Sequence, residues 1–149
     1  MKLNVSVRSV GCTPYQHLSD RLPIFTRKAK RAAVTELSYY VQERFMAQDW
    51  APLAPRTVRE RIAQGYPGSE PVLVRSGELM RAMTVGLHVD ESTTGVKVFS
   101  SHENWIELQL GRSNMPARPM VPSSDTEKRH FLSRVQGTIV SLLRNTLNG

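Results

Sequence analysis

Apolar residues recur at spacings of three and four over two long stretches, one in each half of the chain. The first lies between Asp20 and Pro52, a segment that contains no glycine and only one proline, Pro23. This spacing puts apolar side chains on one face of a helix, which Asp20 can cap while Pro23 is tolerated in the first turn. The stripe of this predicted long helix contains Ile24, Phe25, Ala29, Ala32, Ala33, Leu37, Tyr40, Val41 and Phe45.

The second stretch begins at Ser124-Asp125-Thr126-Glu127, which has the spacing of a capping box. A C-terminal helix is therefore predicted, in which Gly137 costs about 1 kcal/mol. Its apolar stripe contains Phe131, Leu132, Val135, Ile139, Leu142, Leu143 and Leu147.

Alternation of apolar and polar residues predicts three strands. It occurs over Leu3–Val7, Thr84–Val89 and Gly95–Ser100, and it is typical of strands with one buried face. The last two strands are predicted to form a hairpin whose five-residue loop begins with Asp90 and Glu91.

Two short helices are predicted between these elements. Thr57 and Glu60 have capping-box spacing for a helix that ends at Gly65, and Ser76 can cap another. The predicted fold is α+β: a small, mostly antiparallel β-sheet packed with one long helix in the N-terminal half, short connecting helices and a C-terminal helix. The length fits a single domain over residues 1–149.

A stiff segment separates the hairpin from the C-terminal helix. Gly111 breaks an apolar stretch, and the chain then enters Met115–Val121, where two prolines flank Ala117-Arg118. The prolines fix φ and push the preceding residues towards extended conformations, so an extended ribbon centred on Arg118 is predicted. Because two N–H donors are missing, a sheet edge or an intersubunit contact is its expected place.

The charge balance is basic, with 20 lysines and arginines against 13 acidic residues and a formal charge of +7. This favours an acidic partner, either nucleic acid or an acidic protein surface. Positive charge is concentrated at Arg27, Lys28, Lys30 and Arg31 in the long helix. A solvated helix face is the simpler interpretation, and a phosphate or acidic-protein contact is the functional one. The single Cys12 excludes an intramolecular disulfide.

Patterns for catalysis and metal binding are missing from the sequence. There is no nucleophile elbow, no phosphate loop and no helical two-histidine motif at His102-Glu103. A carboxylate-pair hydrolase stays formally open, since Asp90 and Glu91 are adjacent, but a predicted turn explains them. No enzymatic activity, cofactor or metal is predicted. The sequence shows neither a signal peptide nor an apolar run of about 18 residues. We therefore expect the protein to be made in a cytoplasm and not to associate with a membrane.

Trp50 and Arg118 are the residues that turn chemistry explains least. Trp50 is interpreted as a plug over the core, because aromatics carry large burial energies in single-core domains, and a ligand platform is the alternative. Arg118 is interpreted as an interface residue, because the fixed guanidinium fork suits carboxylates and carbonyls between proteins. Arg118→Ala is then expected to lower assembly and to leave the melting temperature nearly unchanged.

Four segments between about Phe45 and Asp125 carry a family resemblance. They are Asp49-Trp50-Ala51-Pro52-Leu53 followed by Thr57, Leu73-Val74-Arg75-Ser76-Gly77-Glu78-Leu79, Asn104–Gly111, and Met115-Pro116-Ala117-Arg118-Pro119. In this order and spacing the chain resembles the phage virion morphogenesis and tail completion family of contractile-tailed phages and prophages. The family has Tyr-Ala and His-Gln pairs where this chain has Asn104-Trp105 and Leu108-Gln109, and Phe-Leu-Gly where it has Met120-Val121-Pro122. Trp105 can supply the aromatic bulk, whereas any role of the histidine does not carry over.

The resemblance implies a non-enzymatic structural protein that completes the tail or joins tail to head. It implies a ring-like homo-oligomer, expected to be a hexamer, in the virion at the head–tail junction or tail end. Tail tube, terminator and head–neck proteins are the implied partners, and Arg27–Arg31 would face DNA or acidic neighbours. A tail-terminator ring that fixes tail length and a basic DNA-binding module are the alternatives. The residues predicted for the interface are Trp50, Arg75, Gly77, Trp105, Gly111, Pro116, Ala117, Arg118 and Pro119.

Overall fold

A computed structural model describes the backbone of residues 2–3, 16–69, 71–92 and 95–147, and the side chains of residues 22–69, 71–92 and 95–145. The described residues form helices and a small antiparallel sheet with strand order β1-β3-β2. This confirms the α+β prediction. The elements are β1 (Lys2–Leu3), α1 (Gln16–Ala47), α2 (Pro55–Ala63), α3 (Glu78–Thr84), β2 (Leu87–Glu91), β3 (Val96–Ser100), α4 (Trp105–Leu110) and α5 (Asp125–Leu147).

Helix α1 is longer at its start than the sequence predicted. It begins at Gln16, so Asp20 lies inside the helix and does not cap it, and Pro23 lies in the interior. An interior proline removes a backbone hydrogen bond and costs about 3 kcal/mol, which is why the helix was expected to begin just before it. Ile24, predicted on the buried stripe, is exposed, whereas Phe25 beside it is buried.

Helices α1 and α5 pack against each other in antiparallel directions. Arg134 on α5 pairs with Glu43 at 2.6 Å and with Glu36 at 3.2 Å, and Thr138 donates to Glu36 at 2.9 Å. The last turns of α5 therefore lie beside the first half of α1. Leu132 and Leu143, predicted on the buried stripe of α5, are partly exposed. The buried residues between the two helices are Ala33, Leu37, Tyr40, Phe131 and Val135.

A second core cluster lies between the end of α1, α3 and the ribbon. Trp50 is buried in it and stacks edge-on against Phe45 at 5.2 Å between ring centroids, which confirms the prediction of a core plug. The buried members of this cluster are Val41, Phe45, Trp50, Val72, Leu79, Met83 and Met120.

The capping box of α5 is confirmed. The Ser124 hydroxyl accepts from the Glu127 N–H at 3.2 Å, and the Glu127 carboxylate accepts from the backbone N–H groups of Ser124 and Ser123 at 3.0 Å. These donors, the Ser124 N–H foremost, lower the pKa of Glu127 to about 2. The start of α5 is therefore fixed by its own first turn.

The starts of the two short helices differ from the prediction. Helix α2 begins at Pro55, so Thr57 lies in its first turn and Glu60 pairs with Arg56 at 2.8 Å without closing a capping box. A proline at the first helical position fits the helix geometry and displaces the predicted start. The predicted end at Gly65 is confirmed by its φ of 78°. In α3 the N-cap is Gly77, one residue after the predicted Ser76.

The predicted hairpin is present with a shifted register. Its strands are β2 and β3, and they pair Asp90 with Lys97 and Glu91 with Val96. Asp90 and Glu91 thus lie in a strand, because an opposite charge faces Asp90 across the ladder, and the predicted turn at these residues is wrong. Thr84, predicted to start the first strand, ends α3 and donates its hydroxyl to the Met80 carbonyl at 2.7 Å.

The N-terminal strand is confirmed only for Leu3, which pairs with Val96 of β3. The rest of the predicted strand and Cys12 lie outside the described residues, as does the side chain of His17. No helix in the described ranges is both long and apolar enough to cross a membrane.

Candidate assembly site

Arg118, at the centre of the ribbon, is buried inside its own chain with 4% of its surface exposed. Its Nε donates to the Ala51 carbonyl at 3.2 Å and its Nη2 to the Pro52 carbonyl at 3.1 Å, while its backbone N–H donates to the Leu108 carbonyl at 2.7 Å. Burial lowers the pKa of the guanidinium, which stays charged at neutral pH. The prediction that this side chain lies on a subunit surface is wrong, because the connector after α1 supplies its acceptors.

The Pro119 carbonyl is a second point of attachment for the ribbon. It accepts from Trp50 Nε1 at 2.9 Å and from Arg44 Nε and Nη2 at 3.4 Å each. Arg44 also pairs with Asp49 at 2.7 Å and lies 6.0 Å from the Trp50 ring centroid. The ribbon is therefore fixed to the end of α1 by side chains and not by a strand ladder. We call Arg44, Trp50, Arg118 and Pro119 the ribbon junction.

Gln109 on α4 acts as a substitute strand partner for the ribbon. Its Oε1 accepts from the N–H groups of Met120 at 2.7 Å and Val121 at 3.1 Å, and its Nε2 donates to the Val121 carbonyl at 3.1 Å. Sequence reasoning did not single out Gln109. The signal was available in the resemblance, in which Leu108-Gln109 stands where the family has a His-Gln pair.

Gly111 ends α4 at a place where no side chain fits. Its φ is 76°, and a Cβ there would lie 2.7 Å from the Ala117 nitrogen and 2.9 Å from the Met115 carbonyl oxygen. Real Cβ atoms essentially never come this close to backbone atoms. Gly111 therefore permits the ribbon to pass against the end of α4. This is a role within one chain, whereas the sequence predicted a role for Gly111 in contacts between subunits.

The four segments that carry the family resemblance meet around one groove of about 590 Å³. Leu53, Leu79, Leu108 and Pro116 line it, and each belongs to a different segment. Residues far apart in the sequence thus form one continuous surface. We call this surface the four-segment groove.

Two arginines that line the groove differ in their availability. Arg61 is 5% exposed and donates from Nη1 and Nη2 to the Pro71 carbonyl at 3.2 Å and from Nη2 to the Val74 carbonyl at 3.1 Å. Within the described residues its Nε has no acceptor. Arg75 is exposed and lies 5.1 Å from the centroid of the Tyr66 ring. Arg61 was missed because nothing in the sequence distinguishes it from the exposed arginines of α2.

The other predicted interface residues fall into three positions. Trp105 is half-buried against the core cluster that contains Trp50. Gly77 lies at the groove, where it caps α3 with a φ of 78°. Pro116 also lines the groove, and Ala117 is exposed beside Gly111.

Helix α4 leaves an apolar surface exposed to solvent. Ile106 is 53% exposed and Leu110 is 73% exposed, and their spacing of four residues puts them on one face of the helix. Ala117, next to Gly111, is exposed as well. We call Ile106 and Leu110 the outer α4 face. Two exposed apolar side chains on one helix face form a candidate contact surface for another protein.

The basic stretch of α1 divides into exposed and buried members. Arg27, Lys28 and Arg31 are exposed and have no ion pair among the described residues. Lys30 is 8% exposed and donates to the Ser92 carbonyl, so it joins α1 to the hairpin. The expectation that Lys30 faces an acidic partner or DNA is wrong, because its side chain is buried and its ammonium group donates to a carbonyl of the same chain.

The described part of the chain offers no cluster of metal ligands. No group of three or more histidine, cysteine, aspartate and glutamate side chains there could hold a metal ion. His88 stacks on Phe99 across the hairpin at 5.4 Å between ring centroids.

Comparison of this chain with protein-family models, curated proteins and solved structures found no match. The family resemblance therefore rests on the four sequence segments.

Proposed function

We propose that this chain is a non-enzymatic structural protein of a contractile-tailed phage or prophage, which completes the tail or joins it to the head during virion assembly. In this proposal it acts as a ring of identical subunits, a hexamer in the simplest arrangement. Its partners are tail tube, terminator and head–neck proteins, and its place is the head–tail junction or the end of the tail.

One observation carries the proposal: the four segments of the family resemblance form a single structural unit. Arg118 bonds the fourth segment to the first, and its backbone N–H bonds it to the third at Leu108. Leu79 of the second segment packs into the same core cluster as Trp50 of the first. Residues that depend on each other in this way give a physical reason for their order and spacing, which a chance similarity lacks.

The outer α4 face supports assembly through protein contacts. Ile106 and Leu110 are exposed on one face of α4, so a neighbouring subunit can cover both side chains together. Replacing both residues by aspartate is expected to abolish ring formation and to leave the folded monomer intact, since neither side chain is buried. Val85→Asp is the matched control, because Val85 is 85% exposed and lies outside this face. Sedimentation velocity distinguishes ring from monomer, and a ring that survives the double substitution contradicts the role of this face.

The function itself is tested by electron microscopy of lysates from a phage or prophage that carries a null allele of the gene. Filled heads beside separate tails are expected, and wild-type protein supplied from a plasmid should restore joined particles. Overlong tails would instead indicate that the protein is a terminator that fixes tail length. Normal infectious particles would contradict any role in assembly.

A DNA-binding role is the second candidate, because one end of the molecule is strongly basic. Arg27, Lys28 and Arg31 are exposed there, and the antiparallel packing of α5 places Arg144, also exposed, at the same end. This candidate predicts duplex binding that weakens steeply with salt, with a slope of about −0.9 per phosphate contact on logarithmic axes. A duplex titration at several salt concentrations tests it.

A further inference from the structure

The four-segment groove carries more positive than negative charge. Arg61, Arg75 and Arg118 line it, and Glu78 is the one carboxylate among its lining residues in the described part of the chain. Arg61 and Arg118 bond to backbone carbonyls and have no carboxylate partner there, so their charges are not neutralised. The groove therefore favours a ligand that carries negative charge.

The walls of the groove suit a peptide better than a polyanion alone. Leucines from three of the four segments and Pro116 supply apolar surface, whereas Asn104 and Asn114 supply hydrogen-bonding amides. Its volume of about 590 Å³ is within the range of ligand pockets. Apolar contact combined with a few placed polar groups is typical of sites that recognise side chains and backbone together.

We propose that the four-segment groove binds an extended acidic segment of a partner protein, with apolar side chains against its leucines and a carboxylate against Arg75, while the buried charges of Arg61 and Arg118 add to the positive field of the groove. Arg75 is the group that reaches the ligand most freely, because it is exposed and its only described contact is the Tyr66 ring. Glu78 opposes binding by repelling the ligand's carboxylates. The proposal does not depend on a role in the virion.

Duplex DNA fits this groove less well. Two of its three arginines are buried and bonded to carbonyls, whereas phosphate contacts along a duplex need exposed cations in a row. The exposed cations of α1 meet that requirement better. DNA binding at the groove is therefore an outcome that the experiment has to exclude.

The test uses a fluorescein-labelled hexapeptide of alternating leucine and glutamate, titrated with the full chain at about 0.1 M salt, where long-range surface attraction is largely screened. Binding is followed by fluorescence anisotropy. The matched peptide replaces each glutamate by glutamine. The protein variants are Arg75→Gln and Glu78→Gln, and Arg59→Gln is the control, because Arg59 is exposed on α2 and outside the groove.

Arg75→Gln is expected to weaken binding about tenfold, as loss of one charge-assisted hydrogen bond does. Glu78→Gln is expected to strengthen it several-fold, and Arg59→Gln to leave it unchanged. The glutamine peptide should bind at least about tenfold more weakly than the glutamate peptide. Equal losses in Arg75→Gln and Arg59→Gln, no detectable binding of the acidic peptide, or its displacement by a short duplex in a manner that depends on Arg75 would each overturn the proposal. All three substitutions are at exposed positions, so an unchanged circular dichroism spectrum can verify folding in every case.

Discussion

Two basic regions of this molecule use their positive charges in opposite ways. At the ribbon junction, Arg118 and Arg44 donate to carbonyls of their own chain, and Arg118 is almost completely buried. In the first half of α1, Arg27 and Arg31 are exposed and have no ion pair among the described residues. Net charge counts both regions equally, although only the second is free for a partner. A basic composition therefore predicts direct contacts with a partner only for the arginines whose donors are not bonded inside the chain.

The largest expected effect is that of Arg118→Ala on stability. The substitution removes two charge-assisted hydrogen bonds, and we expect the free energy of unfolding to fall by about 3 kcal/mol. This reverses the expectation from sequence, in which the melting temperature stayed nearly unchanged. Urea unfolding followed by circular dichroism measures the loss.

Arg112→Ala is the matched control for Arg118→Ala. Arg112 is exposed and pairs with Glu107 on the surface, where such pairs contribute at most about 1 kcal/mol. If both variants unfold at the same urea concentration as the wild type, the internal hydrogen bonds of Arg118 do not stabilise the fold. The distinction between internally bonded and exposed arginines would then be wrong.

Gly111→Ala is expected to have the next largest effect. Gly111 combines a φ of 76° with a ψ of 170°, a backbone conformation that is essentially restricted to glycine, and an alanine there costs on the order of 1–3 kcal/mol. The new Cβ also meets the Ala117 nitrogen and the Met115 carbonyl. Gly65→Ala provides the comparison, because Gly65 has a φ of 78° and a Cβ added there would have nothing within 4 Å. We expect Gly111→Ala to cost about 2 kcal/mol and Gly65→Ala about 1 kcal/mol. Equal melting temperatures would mean that the ribbon moves away from α4 at little cost.

The sequence predicted elements whose signals are local. The capping box at Ser124 and Glu127 fixed the start of α5, and the apolar spacing in α1 predicted its buried face from Phe25 to Phe45. The two prolines also predicted that the ribbon is not a strand inside the sheet, and residues 116–119 form neither helix nor strand. Each of these features depends on residues within one or two turns of each other, which a single sequence displays directly.

Features that depend on distant residues could not be predicted in the same way. The carbonyls that accept from the Arg118 side chain lie 66 and 67 residues earlier in the chain. The one carbonyl that accepts from Lys30 lies 62 residues later. Nothing near either residue indicates that a carbonyl will reach it. The burial of Arg118 and Lys30, and the groove that joins four segments, are consequences of the tertiary fold.

A moderate effect is expected from acid at the boundary between the ribbon and α5. Hydrogen bonds from Ser124 and Ser123 lower the pKa of Glu127 from 4.5 to about 2. A depressed pKa in the folded state means that this carboxylate stabilises the protein fully above about pH 4.5 and ceases to do so as the pH falls towards 2. Glu127→Gln should cost about 1 kcal/mol near neutral pH.

Urea unfolding at several pH values separates Glu127 from the other carboxylates. Between pH 5 and 2, the wild type should lose more stability than Glu127→Gln, and the two curves should converge at the acid end. Glu103→Gln serves as the control, because Glu103 is exposed. Parallel curves for wild type and Glu127→Gln would show that the cap does not depend on the charge of Glu127.

The smallest expected effect on stability comes from the exposed cations of α1, and it sharpens the opening comparison within a single helix. Replacing Arg27, Lys28 and Arg31 together by glutamine should change the free energy of unfolding by less than about 0.5 kcal/mol, since none has an ion pair among the described residues. Lys30→Gln, in the same stretch, should cost about 1–2 kcal/mol, because it removes a charged donor from the Ser92 carbonyl. Thermal unfolding of both variants tests this distinction between the exposed cations and the buried Lys30. The distinction is wrong if the triple variant is less stable than Lys30→Gln. Given that result, a loss of partner or DNA binding in the triple variant can be attributed to the contact itself and not to damage to the fold.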